Sequence, residues 1–176
     1  MAQPIKREEK RRPLDQLAYA IATGGGAGFS PIAPGTLGAI EAVALFSVIG
    51  IIAGEQLRLS PQLSLLLFSL LNAILFAVGV WASSRTCRIC EMDDPSQIVI
   101  DEVSGQLIAL TPLLLFPSLA GVVAAFVLFR FFDIVKPYPI RELEQLHGGM
   151  GVMADDALSG IFAAALVWVA VALGII

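Results

Sequence analysis

Two pairs of adjacent carboxylates stand at the start of long uncharged stretches in this chain of 176 residues. Asp101 and Glu102 precede the first stretch, and Asp155 and Asp156 precede the second. An acidic pair at the start of a helix often interacts only with the helix dipole. The same oxygens are also the ligands that Mg²⁺ prefers in proteins. Each pair taken alone is therefore compatible with a structural role and with a metal site.

A group of alternating charges follows the first uncharged stretch. Arg130, Asp133 and Lys136 are spaced three residues apart, which places them on one face if the segment is helical. Such ladders are common on soluble helices, but ionisable groups that enter a membrane helix usually serve a function. Arg141 adds a further cation after two prolines that end the predicted helix.

The segment 23–36, Thr-Gly-Gly-Gly-Ala-Gly-Phe-Ser-Pro-Ile-Ala-Pro-Gly-Thr, is rich in glycine. Glycines let backbone N–H groups approach an anion closely, and the start of a helix favours negative charge. Ser30, Gly35 and Thr36 are therefore candidates for phosphate binding, and Thr36 is also predicted to cap the helix that follows. The alternative is a flexible turn beside the membrane. A P-loop is excluded because no Gly-Lys-Ser/Thr follows.

The single histidine of the chain, His147, precedes a second glycine-rich stretch that leads to Asp155. A lone histidine is more often structural than catalytic. Its side chain nevertheless titrates near neutral pH, which suits phosphate binding or proton transfer. We therefore keep His147 as a candidate substrate-binding residue.

Together these residues supply what phosphoryl transfer requires. Its transition state carries negative charge on oxygen, which a hard cation held by carboxylates, together with basic side chains, can stabilise. The sequence predicts a Mg²⁺ site built from the five acids Asp101, Glu102, Asp133, Asp155 and Asp156. The residues predicted to be catalytic are Asp101, Asp133, Asp156, Arg130 and Lys136. The residues predicted to bind substrate are Ser30, Gly35, Thr36, Arg141 and His147.

The residues of other phosphatase mechanisms are missing from this sequence. Neither Cys87 nor Cys90 begins a Cys-x5-Arg loop, no Asp-x-Asp is present, and one histidine cannot form a two-histidine site. Metal-assisted attack on phosphate remains. The Cys-x-x-Cys spacing is better explained by two thiols on a reducing cytoplasmic side than by a redox pair or half a zinc site.

Composition places these residues on membrane helices. The chain is 57% hydrophobic and 15% charged, whereas soluble domains carry about 25% charged residues. The apolar stretches 63–82, 157–176 and 36–53 approach the roughly 20 residues that cross a bilayer, the last with Glu41 near its start. The predicted fold is all-α, a polytopic integral membrane helical bundle. The net charge of −4, without a basic stripe, argues against nucleic-acid binding.

The stretch 103–129 is long enough for one span, but Pro112 and Pro117 divide it. Proline interrupts the helical hydrogen-bond ladder. We therefore predict a helical hairpin, Ile98–Thr111 and Ser118–Ile134, that is re-entrant or only partly spanning. A single span is the alternative.

The distribution of basic residues favours the hairpin. With a hairpin, the N-terminus and residues 85–100 and 133–156 lie on one side, together with every Lys and Arg except Arg58. By the positive-inside rule that side is cytoplasmic. We accordingly assign residues 1–22 to a basic cytoplasmic leader and residues 23–176 to a single membrane domain.

Four motifs, in this order, resemble those of the bacterial phosphatidylglycerophosphatase A family. They are Gly-Phe-Ser-Pro-Ile-Ala-Pro-Gly-Thr-Leu-Gly at 28–38, Ile-Val-Ile-Asp-Glu-Val-Ser-Gly at 98–105, Arg-Phe-Phe-Asp-Ile-Val-Lys-Pro-Tyr-Pro-Ile-Arg at 130–141 and His-Gly-Gly-Met-Gly-Val-Met-Ala-Asp-Asp at 147–156. The resemblance runs from about Gly24 to Gly160. It implies a Mg²⁺-dependent enzyme of the inner membrane that removes the terminal phosphate of phosphatidylglycerol phosphate and leaves phosphatidylglycerol. Family members typically carry Gly-Ser where this chain has Gly38 and Ala39.

Two other functions remain open from the residues alone. A small membrane transporter, or a non-enzymatic membrane subunit with an acidic ion-binding cluster, would also place carboxylates near a bilayer. A transporter usually has repeated halves and acids at the bilayer midplane, whereas these acids stand at predicted helix starts. For the enzyme, the expected partners are phosphatidylglycerol phosphate in the bilayer and the surrounding membrane lipids. A homo-oligomer is compatible with the sequence.

Overall fold

The structure is a computed structural model that describes residues 13–176, with only the backbone of residues 53 and 55–59. Its helices are α1 (Pro13–Ala22), α2 (Pro34–Leu59), α3 (Pro61–Cys90), α4 (Ile100–Ala109), α5 (Leu119–Val135), α6 (Ile140–Leu143) and α7 (Gly149–Ala172). Short 3-10 turns occupy Gly24–Phe29 and Thr111–Leu114. No strand occurs in the described part of the chain. The predicted all-α class is confirmed.

Three helices are long and apolar enough to cross a membrane: Pro34–Ile52 of α2, Pro61–Cys90 and Gly149–Ala172. They match the three predicted spans. Helix α7, however, begins at Gly149, so Asp155 and Asp156 are its seventh and eighth residues. The prediction that this acidic pair opens the helix is therefore wrong. The helix can begin early because its first residue, Gly149, fits against α3, where a Cβ would overlap the backbone of Val80 and Ser84.

Two shorter helices form the predicted hairpin. Helix α4 has 10 residues and α5 has 17, and residues 111–118, which contain the two prolines, interrupt the helical structure between them. At 1.5 Å per residue they are about 15 Å and about 26 Å long, both shorter than the roughly 30 Å of a hydrocarbon core. Helix α4 is buried on nearly every side, from Val103 to Leu107, and thus lies at the centre of the bundle.

Close packing between helices brings the polar segments to one end of this bundle. The backbone N–H of Gly149, at the start of α7, donates to Ser84 Oγ near the end of α3 at 3.1 Å. A Cβ on Gly28 would overlap the carbonyl of Gln97, which lies just before α4. The starts of α2, α4 and α7 and the ends of α3 and α5 therefore meet, as the hairpin prediction requires.

Helix α1 covers the described part of the predicted leader; residues 1–12 lie outside the described chain. Its Ala18 and Ala22 are fully buried in the core. Asp15 pairs with Arg85 of α3 at 2.5 Å. Residues 13–22 are therefore packed onto the bundle. The side chain of Arg58, the predicted exception to the charge asymmetry, also lies outside the described residues.

Candidate active site

A cavity of about 300 Å³ lies at the polar end of the bundle. It is lined by residues from the start of α2, the segment before α4, the first turn of α4, the end of α5 and the first turns of α7. Its acidic lining residues are Asp93, Asp94, Asp101, Glu102, Asp133, Glu144, Asp155 and Asp156. Lys136 is the basic residue among the described residues that line it. A phosphate could therefore bind here only with further positive charge.

Three carboxylates form the tightest group in this cavity, which we call the carboxylate cluster: Asp101, Glu102 and Asp156. One oxygen from each lies within 4.8 Å of the others. Asp101 Oδ1, Glu102 Oε2 and Asp156 Oδ2 are buried without a hydrogen-bond partner. Like charges held this close repel one another, and buried acceptors without partners cost free energy. A hard divalent cation would neutralise the repelling charges and give the buried oxygens a partner. A set of oxygen ligands suits Mg²⁺.

Two glycines set the distance between the helices that carry the cluster. A Cβ on Gly160 of α7 would overlap the carbonyl oxygen of Gly105 in α4. A Cβ on Gly105 would lie 2.6 Å from the carbonyl oxygen of Asp156. Small residues permit such close helix approach in membrane proteins. Gly105 and Gly160 follow Asp101 and Asp156, respectively, by four residues. Their lack of side chains therefore allows α4 and α7 to approach until Asp156 reaches the first turn of α4.

Asp133 and Asp155 lie outside the carboxylate cluster, each paired with a basic side chain. Asp133 Oδ2 is 2.6 Å from Arg130 Nη1, and Asp155 Oδ2 is 2.7 Å from Lys136 Nζ. Lys136 also pairs with Glu144 at 3.2 Å. The fold thus divides the five predicted metal ligands. Asp133 and Asp155 each have a basic partner within 2.7 Å, whereas Glu102 approaches one only at 3.9 Å, from Arg130, and no ion pair to Asp101 or Asp156 occurs among the described residues.

The predicted single face of Arg130, Asp133 and Lys136 is wrong at its last member. Helix α5 ends at Val135, and Lys136 has a φ of 45°, so the helical spacing does not extend to it. The reversal turns Lys136 toward α7, where it meets Asp155. Arg130 remains on α5 and is not among the residues that line the cavity.

The environment of Lys136 keeps it charged. Burial by itself would lower the pKa of Lys136, but hydrogen bonds and attraction to Asp155 and Glu144 outweigh that cost, so its pKa is raised. Burial also raises the pKa of Asp94, against the lowering effect of Lys136. At neutral pH the cavity therefore contains a protonated lysine.

One of the predicted substrate-binding residues, Gly35, lines the cavity. Ser30 lies outside the lining, and its hydroxyl donates to the carbonyl of Ile32 at 2.9 Å. His147 and Arg141 are exposed and also lie outside the lining. Thus the structure brings only Gly35 of these four residues to the cavity wall.

Thr36 does not cap helix α2, contrary to our prediction. The helix begins two residues earlier, at Pro34, and its N-cap position is Ala33. Proline is well suited to the first helical position because its φ is already helical and no N–H is lost there. Thr36 is half-buried in the first turn and outside the cavity lining.

Three acids that we did not predict also line the cavity: Asp93, Asp94 and Glu144. The sequence offers one signal for Asp94, its position next to Pro95 and shortly before the acidic pair Asp101 and Glu102. Glu144 lies in a polar stretch without a distinctive pattern. Ala39, where the family typically has serine, is fully buried among apolar side chains and not in the cavity.

Comparison with known proteins agrees with the four motifs. The chain matches the model of the family described as phosphatidylglycerophosphatase A over residues 20–171. It is 34% identical to phosphatidylglycerophosphatase A of Haemophilus influenzae over 168 residues, 94% of this chain and 93% of that one. It is 33% identical to phosphatidylglycerophosphatase A of Escherichia coli over 153 residues, 85% of this chain and 81% of that one.

A further relative carries a different name. The chain is 43% identical over 159 residues to a Bacteroides thetaiotaomicron protein provisionally named phosphatidylinositol-3-phosphatase, covering 88% of this chain and 93% of that one. No solved structure matches the chain. The family match covers most of the described helices, and the resemblance seen in the motifs is confirmed. The chain therefore belongs to the phosphatidylglycerophosphatase A family.

Proposed function

We propose that this protein hydrolyses the terminal phosphomonoester of phosphatidylglycerol phosphate to phosphatidylglycerol and phosphate, with Mg²⁺ bound at Asp101, Glu102 and Asp156. The observation that carries the proposal is the carboxylate cluster, whose buried oxygens lack partners, beside a charged lysine in one cavity. Membership of the family, and relatives named for this activity, support the phosphatase reaction and this substrate.

A bound Mg²⁺ supplies positive charge opposite the oxygens on which negative charge develops. Lys136 supplies a second positive charge from the protein. Its contact with Glu144 is easily exchanged, because Glu144 is 52% exposed, whereas Asp155 is only 7% exposed and stays in place to orient the ammonium. Lys136 can therefore move from Glu144 to a phosphate oxygen without leaving Asp155.

Proton transfer requires a carboxylate oxygen that faces no cation. Asp155 Oδ2 is paired with Lys136, but Asp155 Oδ1 is buried without a hydrogen-bond partner. We assign Oδ1 as the acceptor of the proton released when water attacks phosphorus. The bond from phosphorus to the glycerol oxygen breaks, and the leaving oxygen takes up the proton that Asp155 accepted, which gives the alcohol and returns Asp155 to its charged form. Asp133, held by Arg130, completes the acidic wall of the cavity.

The test is phosphate release from lipid in mixed micelles, with and without chelator. We expect EDTA to abolish release and excess Mg²⁺ to restore it. Full activity in excess chelator contradicts the metal mechanism. A transporter or a non-enzymatic subunit would release no phosphate under any of these conditions.

The relative named for phosphatidylinositol-3-phosphatase activity favours a second candidate substrate, phosphatidylinositol 3-phosphate. A panel of phosphatidylglycerol phosphate, phosphatidylinositol 3-phosphate and phosphatidic acid at equal surface concentration separates the two. We expect the highest kcat/KM on phosphatidylglycerol phosphate. A higher value on the inositol lipid assigns the second substrate instead.

We further propose that the cavity faces the cytoplasm of the bacterial inner membrane. This is supported by the basic side chains that the structure describes, which lie near the ends of α3 and α5 or in the segment after α5: Arg85, Arg88, Arg130, Lys136 and Arg141. Cysteine labelling of intact cells tests this in a functional variant without Cys87 and Cys90. A cysteine replacing the exposed Gln145 should resist a membrane-impermeant reagent. One replacing the exposed Gln62, at the other end of α3, should react. The reverse pattern places the site outside.

A further inference from the structure

We propose that Gly35 and Arg130 are positioning residues that hold the Glu102 carboxylate ready for a cation, and that neither contacts the substrate phosphate. The inference rests on the proposed metal-dependent function. It differs from the sequence-based predictions that Gly35 binds substrate and that Arg130 is a catalytic residue.

The space above Gly35 is already filled. A Cβ on Gly35 would overlap Glu102 Oε1, and would lie 2.8 Å from Glu102 Cδ and 3.2 Å from Arg130 Nη1. Gly35 is the second residue of α2, where backbone N–H groups have no partner within the helix and favour negative charge. The anion that this helix start receives is therefore the protein's own carboxylate.

Arg130 approaches the same oxygen from another helix. Its Nη1 is 3.9 Å from Glu102 Oε1 and 2.6 Å from Asp133 Oδ2, so one guanidinium lies between two carboxylates. Arg130 is not among the cavity-lining residues, whereas both acids are. It thus lies behind the cavity wall, where it acts on the acids and not on a ligand.

The two oxygens of Glu102 consequently have different roles. Oε1 faces Gly35 and Arg130, which restrict its position. Oε2 is buried without a hydrogen-bond partner, and Glu102 contributes one oxygen to the carboxylate cluster with Asp101 and Asp156. Holding one oxygen fixes the direction of the other, as partners behind a metal ligand generally do.

The test measures cation binding directly, apart from activity. Protein stripped with chelator is titrated with Mn²⁺ in detergent, and free Mn²⁺ is followed by electron paramagnetic resonance. The variants are Gly35→Ala, Arg130→Lys and, as matched control in the same helix, Gly50→Ala, where a Cβ meets nothing within 4 Å. We expect Kd to rise about 10-fold or more for the first two, as loss of such partners usually causes, and to stay unchanged for the control.

Steady-state kinetics at saturating cation separate positioning from phosphate binding. We expect lipid KM to change less than about 2-fold in Gly35→Ala and Arg130→Lys, because uniform substrate binding is not removed. An unchanged cation Kd with a raised lipid KM would show that these residues bind phosphate, and would overturn the proposal.

A double variant distinguishes the loss of positioning from a general loss of folding. Glu102→Asp shortens the carboxylate that Gly35→Ala displaces, so the double variant should bind Mn²⁺ no more weakly than Glu102→Asp alone. Additive losses would mean that Gly35 acts independently of Glu102, against the proposal. If wild type binds Mn²⁺ and hydrolyses lipid while Gly35→Ala does both equally well, only the positioning role fails. If wild type binds no cation and works in chelator, the proposed function fails with it.

Discussion

The two groups of acids in the cavity differ in what neutralises them. Asp133 and Asp155 are each paired with a basic side chain at 2.6–2.7 Å, so a cation of the protein balances the charge of each. The carboxylate cluster has buried oxygens without partners on all three acids. Burying unpaired charge is costly unless something compensates it. This difference agrees with the proposed function, in which a cation binds at the carboxylate cluster and the two paired acids need none.

The largest loss of activity is expected from a substitution at Asp156, which α7 contributes to the carboxylate cluster. We expect Asp156→Asn to lower kcat by about 100-fold or more, since loss of one charged group in a preorganised site costs about this much. Phosphate release at saturating lipid measures it. Glu142→Gln, an exposed acid on α6 outside the cavity lining, is the control and should retain activity.

The same variant reports on stability. Mg²⁺ should raise the thermal unfolding midpoint of wild type, because a ligand that binds only the folded state stabilises it. It should raise that of Asp156→Asn much less. Equal stabilisation of both proteins by Mg²⁺ would place the cation elsewhere.

The paired half is tested at Lys136. We expect Lys136→Met to lower kcat/KM by about 10- to 100-fold, because a hydrogen bond to a charged group contributes roughly 1.5–3 kcal/mol. Lys136→Arg keeps the charge and should lose less. The KM for lipid should rise, and the affinity for Mn²⁺ should not change. A loss of Mn²⁺ affinity with normal lipid KM would contradict the separation of the two halves.

The distance between the halves depends on the glycine contact of α4 with α7. Gly160→Ala places a Cβ against the carbonyl of Gly105, and overpacking of this kind costs about 1–3 kcal/mol. We expect a lower thermal unfolding midpoint and weaker Mn²⁺ binding. Gly54→Ala, where a Cβ meets nothing within 4 Å, is the matched control. Normal Mn²⁺ affinity in Gly160→Ala would show that the cluster does not depend on this contact.

The smallest effect is expected at Glu144, the exposed partner of Lys136. Ion pairs this exposed contribute about 0–1 kcal/mol. Glu144→Gln should therefore change kcat/KM by less than about 5-fold, and lipid KM should fall slightly if Glu144 competes with phosphate for Lys136. A large loss of kcat in the same assay would give Glu144 a direct role in the reaction.

Much of the architecture follows from the sequence by itself. Long apolar stretches require helices in a bilayer, because a backbone without water must satisfy its own hydrogen bonds. Pro112 and Pro117 locate the break in the hairpin because proline cannot continue the helical ladder. The acidic pair in the first turn of α4 was equally visible. Residue type and spacing along the chain determine these features, so no knowledge of distant contacts is needed.

The pairing of the acids was decided only by the tertiary structure. Spacing along one helix could not show that Lys136 leaves its helix and reaches Asp155, or that Asp156 meets Asp101 instead of a basic partner. Nor could it show that the space beside Gly35 is taken by Glu102. These contacts join helices far apart in sequence, at distances set by close glycine packing. Because charges a few ångströms apart interact strongly and screened ones hardly at all, that packing determines which acids lie against a basic side chain and which lie against other acids.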